Sequence, residues 1–189
     1  MQTVSFRQMK EGTKEDYDFL ANLEAEYIKG LPDRILQALR DLENTLGGYQ
    51  ITRLEHSLQT ATRAEEDGAD EEMVLGALLH DLGDDLAPEN HSQYAAAIIR
   101  PYVRKEVTWI VEHHGVFQLH YFGHHTGDDP NARDRFKDHP YYDSAVRFCE
   151  RWDQAAFDPD YPTQPLEHFE PLVRRIFSRE AFDPAIVDR

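Results

Sequence analysis

The stretch Leu78-Leu79-His80-Asp81-Leu82-Gly83 sets an imidazole beside a carboxylate at the end of an apolar run. On a helix end such a pair can address two metal ions. The imidazole binds one, and the carboxylate, having two oxygens, can bridge both. The same pair without a metal would hydrogen-bond internally. Four further residues bear on the choice. His56 stands 24 residues before His80 on what reads as the preceding helix. Antiparallel helices joined by a short turn bring such positions together. His91 opens a helix soon after the pair. His114 closes the stripe Val103, Val107, Ile110 and Val111 and so faces the core. Its neighbour His113 points about 100° away around the helix, and either could be the ligand. Asp153 follows Tyr142, Val146 and Cys149 at similar spacing; a buried carboxylate needs a partner or a metal. Four imidazoles and two carboxylates suit iron, manganese, zinc or cobalt rather than calcium.

The elements that must position these residues are helices. Glu15–Ile28 carries Phe19, Leu23 and Tyr27 on one face, and Gly30-Leu31-Pro32 breaks it. Pro32 starts a second helix to about Asn44. Thr52–Glu66 is a third. Asp70 is a candidate N-cap for a helix that runs to Leu82 and stops at Gly83. Asn90 is a candidate N-cap for His91–Tyr102, and Lys105–His114 continues helical. Residues Gly115–Lys137, rich in His, Gly, Asp and Asn, read as a long functional loop. Tyr141–Gln154 and Pro165–Arg179 are the last helices. Alternation of β-branched residues is nearly absent, so the expected class is all-α. The expected organisation is one domain over residues 1–189. Helices over 14–44 pack on a metal-binding core over 47–157, followed by a C-terminal helix over 165–179.

Composition narrows the function. Hydrophobic residues make up 40% and charged residues 30%, which suits a globular chain. Met1–Lys10 lacks the apolar stretch of a signal peptide. A single cysteine, Cys149, excludes an internal disulfide and fits a reducing compartment, so the expected location is the cytoplasm, with no membrane partner. The net charge of −16 argues against nucleic acid as a partner. An anionic small molecule would need a local positive centre, which a metal pair supplies.

At His56, His80-Asp81 and Asp153 the chain resembles the HD-domain superfamily, whose signature is a histidine, a His-Asp pair on the following helix and a later aspartate. His91 and His114 resemble the expanded pattern of its two-metal members, the HD phosphodiesterases and the mixed-valent di-iron oxygenases. The resemblance implies an all-α helical bundle. It implies that Asp81 bridges the ions and is the catalytic carboxylate, that His56, His80 and Asp153 hold one ion, and that His91 and His114 hold the other. Gly47-Gly48 with Leu54-Glu55-His56-Ser57-Leu58-Gln59 is similar to the hydroxyphosphonate-cleaving oxygenases, as are Glu112–Gln118 and Arg151–Gln154.

Within that group the resemblance points to the glycine betaine-forming branch. It implies two iron ions, Fe(II) and Fe(III), dioxygen as co-substrate, and cleavage of the carbon–phosphorus bond of (R)-1-hydroxy-2-(trimethylammonio)ethylphosphonate. The chain departs from relatives acting on the primary-amine analogue. Asp84 stands where they carry a phosphonate-binding histidine, Gln118 where they carry a lysine, and Leu46 and Tyr49 where a tyrosine and a glutamate are expected. The substrate-binding candidates are Tyr27, Tyr49, Asp84 and Gln118. A quaternary ammonium prefers aromatic faces, which adds Phe117, Tyr121 and Phe122, with Asp84 or Glu26 as charge partner. Phosphonate donors are sought among Gln118, His113, His124 and Arg133. Two other readings use the same ligands: a metal-dependent phosphohydrolase, with zinc or manganese in place of iron, and a non-catalytic scaffold.

Overall fold

The computed structural model describes residues 2–188; Met1 and Arg189, the ends of the expected domain, lie outside them. Among these residues there is no strand. The chain forms α1 (Lys14–Lys29), α2 (Leu31–Asp41), α3 (Arg53–Glu66), α4 (Glu71–Leu79), α5 (His91–Ile99), α6 (Lys105–Thr126), α7 (Tyr142–Phe148), α8 (Leu166–Phe177) and α9 (Pro184–Val187). The fold is an all-α helical bundle. None of these helices is long and apolar enough to cross a membrane.

Helix α3 is the axis of the molecule. Its start is set by a capping box: the Thr52 hydroxyl accepts from Glu55 N at 3.1 Å, and the Glu55 carboxylate accepts from Thr52 N at 2.7 Å. From His56 to Thr62 every residue is buried, because α4 packs along one side and the segment after α7 along another. The Asp70 cap on α4 is present, accepting from Glu72 N at 3.0 Å and Met73 N at 3.1 Å. Helix α2 places Ile35, Leu36 and Leu39 between α3 and α8, whereas α1 buries no residue.

Several expectations change. The stretch 115–137 is not one long loop, since α6 runs on for three turns past His114 to Thr126. The stripe that ends at His114 continues through Phe117, Gln118 and Tyr121 with helical spacing, and at Gly115 a Cβ would lie 3.3 Å from the Ser92 hydroxyl, so the glycine suits the close approach of α5. The helix stops where Gly127 takes a left-handed φ of 88° and returns its N–H to Gly123 O. Helix α4 ends at Leu79, and His80 and Asp81 occupy hydrogen-bonded turns beyond it. Helix α5 ends at Ile99, and Asn90 makes no side-chain cap. The helix expected to reach Gln154 is α-helical only to Phe148; Cys149–Asp153 is a π-turn, closed by Gln154 N donating to Cys149 O at 3.0 Å. The wider turn buries Trp152 and Asp153 together.

Two glycines permit close approach. A Cβ on Gly76 would lie 2.7 Å from Val107 Cγ1, so α4 and α6 touch there. At Gly83 a Cβ would lie 2.7 Å from both Cα and O of His91. Gly83 is thus required by the backbone that crosses it, and this contact draws the start of α5 against the His-Asp turn. Replacing Gly83 by alanine must push His91 away. The expected loss is about 1–3 kcal/mol from overpacking, read as a lower urea midpoint of the metal-free protein; an unchanged midpoint contradicts the close-approach role.

Candidate metal centre

Five elements converge on one buried point. Helix α3 brings His56, the turn after α4 brings His80 and Asp81, the first residue of α5 is His91, α6 brings His114, and the π-turn brings Asp153. His56, His80, Asp81, His114 and Asp153 are all buried, while the His91 side chain keeps 28% of its surface at the rim.

The backbone fixes the chemical form of the imidazoles. His56 Nδ1 lies 2.8 Å from Ala156 O, His80 Nδ1 2.8 Å from Ala77 O, and His114 Nδ1 2.7 Å from Val111 O. A carbonyl only accepts, so each Nδ1 carries the hydrogen and each neutral ring turns its Nε2 lone pair inward. Those lone pairs meet one another and two carboxylates. His56 Nε2 and His80 Nε2 are 3.1 Å apart. Asp153 Oδ1 lies 3.3 Å from His56 Nε2 and 3.4 Å from His80 Nε2. The two oxygens of Asp81 divide: Oδ2 is 3.3 Å from both His56 Nε2 and His80 Nε2, while Oδ1 is 3.2 Å from His114 Nε2 and 3.5 Å from His91 Nε2. Asp153 Oδ2 is buried with no hydrogen-bond partner.

Converging acceptors need a cation between them. With protons alone, burial disfavours charge on His80, but Asp81 and Asp153 outweigh it and raise its pKa well above the usual imidazole range. Burial likewise opposes charge on His56, and hydrogen bonds to Asp153 and Asp81 raise it, with charged His80 holding it back. Asp81 and Asp153 are buried, yet His80 and the surrounding imidazole contacts keep both carboxyls well below their ordinary value. The mixed nitrogen and oxygen donors, the split carboxylate and the unpaired Asp153 oxygen fit metal ions better than protons.

The centre opens into a cavity of about 500 Å³. Of the substrate-binding candidates, Tyr49 and Gln118 line it, together with Tyr121 and Phe122. Tyr27 does not: it is 67% exposed under the Arg34 guanidinium, because α1 lies outside the core. Glu26 on the same helix pairs with Lys29. Phe117 is fully buried core. His113 stacks on Trp109 at 4.5 Å, which leaves His114 as the histidine at the centre. Exposed His124 ends α6, and Arg133 sits beside Tyr121 without lining the cavity. Asp84 is not a free negative charge, since the Arg53 Nε donates to its Oδ2 at 2.6 Å.

Arg53 was missed from the sequence. Its Nη2 also donates to Asp81 Oδ2, and it is the one lysine or arginine among the residues lining the cavity. Its place three residues before His56, on the same face of α3, was the available signal. Phe157 and Gln154 also line the cavity. Phe157 stacks on the His56 ring at 4.3 Å and 22°, a contact with no trace in local spacing.

A family model described as "HD domain" matches residues 53–153. The chain is also similar to "[1-hydroxy-2-(trimethylamino)ethyl]phosphonate dioxygenase (glycine-betaine-forming)" of Leisingera caerulea, 35% identical over 100 residues, covering 47% of this chain and 48% of that protein. The chain thus matches about half the length of this curated relative.

The protonated centre sets a pH dependence for metal binding. The raised His80 contributes stability to the metal-free protein below its unfolded pKa of about 6.5, and this is lost as pH rises through the folded value. The lowered aspartates contribute above about pH 3.9, and this is lost as pH falls through their folded values. A metal must displace the imidazole proton. Loading is therefore expected to release protons, and affinity to climb as pH rises toward and through the raised His80 value. Isothermal titration with Co(II) in buffers of different ionisation heat checks this; pH-independent affinity with no proton release contradicts it.

Proposed function

Since the chain belongs to the HD-domain family, we propose that it is a di-iron oxygenase that cleaves the carbon–phosphorus bond of a 1-hydroxyphosphonate. The substrate we favour is (R)-1-hydroxy-2-(trimethylammonio)ethylphosphonate. One substrate and one dioxygen give one glycine betaine, one phosphate and one proton, so no further reductant is consumed per turnover. The observation that carries the reading is a cavity with a six-donor centre at its base, a single arginine at its side and aromatic rings around it. The similarity to a dioxygenase of that name supports it.

In this reading His56, His80 and Asp153 would hold one ion and His91 and His114 the other, with Asp81 contributing a carboxylate oxygen toward each. Iron in the Fe(II)/Fe(III) state supplies Lewis acidity toward the substrate hydroxyl and the redox chemistry of dioxygen. The chain's own residues bind and orient. Two carboxylates against a ferrous and a ferric ion leave the centre net positive, which draws an anion into an otherwise acidic protein. Arg53 Nη1 makes no hydrogen bond among the described residues and is the natural partner for a phosphonate oxygen. Asp84 does not repel that anion, because Arg53 neutralises it. Gln118, one turn beyond His114, lines the same cavity and offers an amide donor. Tyr49, packed on Phe157 at 5.0 Å, and Tyr121 and Phe122 offer ring faces to a quaternary ammonium, which cannot donate a hydrogen bond.

The test is an aerobic assay of protein loaded with ferrous iron and a reductant. Oxygen uptake in step with phosphate release is expected. Phosphate released from phosphate esters without oxygen, by protein that takes up only zinc or manganese, overturns the proposal in favour of hydrolysis. The Arg53→Met variant is expected to weaken phosphonate binding by roughly 10- to 100-fold, the scale of a hydrogen bond to a charged group; an unchanged KM removes Arg53 from the binding site.

A further inference from the structure

The six donors are not held only by the helices that carry them. Residues 154–158, between the π-turn and the C-terminal segment, follow directly on Asp153 and make three separate contacts with the His56 side of the centre. Ala156 N donates to Asp153 O at 3.0 Å, which ties the segment to the turn. Ala156 O accepts from His56 Nδ1 at 2.8 Å and so fixes which nitrogen of His56 faces inward. The Phe157 ring lies flat on the His56 ring and forms part of the cavity wall. One strap therefore sets the tautomer of His56, its ring plane and the shape of the cavity beside it.

No strand or helix holds this strap, so its backbone groups find no ladder. Gln59 replaces one. It is buried on α3, three residues after His56. Its Nε2 donates to Asp158 O at 2.8 Å, and its Oε1 accepts from Asp158 N at 3.2 Å. A side-chain amide thus pairs with one residue's N–H and C=O as a neighbouring strand would. Because Gln59 and His56 share one face of a rigid helix, the strap is locked in register with the imidazole it orients.

We propose that Gln59 is a positioning residue for the metal centre, acting on His56 through the strap that ends at Asp158. The inference rests on the reading of this cluster as a metal site. It predicts that loss of the two amide hydrogen bonds weakens one ion's binding rather than the fold as a whole. Outer-layer partners of metal-bound histidines change metal affinity by about 10- to 100-fold; Gln59 stands one step further out, and about tenfold is expected.

The experiment titrates Co(II) alone into the metal-free full chain, followed by visible absorption and equilibrium dialysis. The wild type is compared with Gln59→Met, which keeps the volume and loses the two hydrogen bonds to Asp158 together with the longer ones to Thr163 Oγ1 and from Arg63 Nη2, and with Asp158→Asn, whose contacts to Gln59 are main-chain and stay intact. The expected result is about tenfold weaker binding of one cobalt in Q59M with an altered absorption spectrum, and wild-type binding in D158N, both retaining helical circular dichroism. Unchanged cobalt affinity and spectrum in Q59M, with only a lowered unfolding midpoint, overturns the proposal. Gln59→Glu keeps the acceptor for Asp158 N–H and covers the case in which Q59M does not fold: cobalt affinity equal to wild type then overturns it. A wild type that takes up no cobalt refutes instead the metal-centre reading.

Discussion

Four imidazole nitrogens and two carboxylates converge so closely that a positive charge, a proton on the raised His80 or a metal ion, must lie among them, with His56 Nε2 and His80 Nε2 at 3.1 Å and Asp81 between two histidine pairs. The surrounding backbone keeps that convergence in place. Three main-chain carbonyls, of Ala156, Ala77 and Val111, take the hydrogens of the outer nitrogens and so forbid the rings from turning away. Burial removes the water that would otherwise solvate the carboxylates. The site is thus preorganised by the backbone: the histidines supply the donors, but helix ends and a π-turn decide where the donors aim.

Close packing makes the convergence possible. The side chains come from five elements, and an imidazole reaches only a few ångströms from its backbone, so the elements must touch. Gly76 lets α6 lie against α4, which brings His114 over the turn that follows α4; Gly83 lets the first residue of α5 cross the same turn, which brings His91. Helices α2 and α8 lie on the far side of the core and contribute apolar mass rather than donors. Asp67, gripped by Arg147, Arg151 and the Trp152 Nε1–H, ties the end of α3 to the π-turn and so anchors the element that carries Asp153.

His114 and Asp153 could be read from the sequence because each follows an apolar stripe of helical period, whereas His80-Asp81 stood out as a dipeptide and His56 and His91 gained weight from the resemblance to the HD pattern. His114 could be told from His113 only once Trp109 was seen to take the second ring. The length of α6 is hidden in the sequence because Gly115 and the histidines after it mask a stripe that continues through Gln118 and Tyr121. The misplacement of Tyr27 has a different cause. Its helix has the right pattern, but α1 buries no residue, and pattern alone does not say which apolar faces find a partner. Phe157, Ala156 and Gln59 act across about a hundred residues of chain, and no local spacing encodes such contacts.

Arg53 joins the electrostatics of the centre to those of the cavity. Its Nη2 holds Asp81 Oδ2, the oxygen turned toward His56 and His80, and its Nε holds Asp84. A guanidinium and a cation at His56 and His80 compete for that same oxygen, and their mutual repulsion is relieved by an anion placed between them. The chain carries a net charge of −16, so the surface at large does not attract such an anion. Affinity for it must come from the few positive charges that meet at this wall, and it is strongest when the centre is filled. Under the proposed function, metal loading and anion binding would be coupled through Asp81, each favouring the other by the same free energy. In the same reading, such a wall would suit a small molecule with a negative group at the metal end and a cationic, bulky group among Tyr49, Tyr121, Phe122 and Phe157, all of which line the cavity.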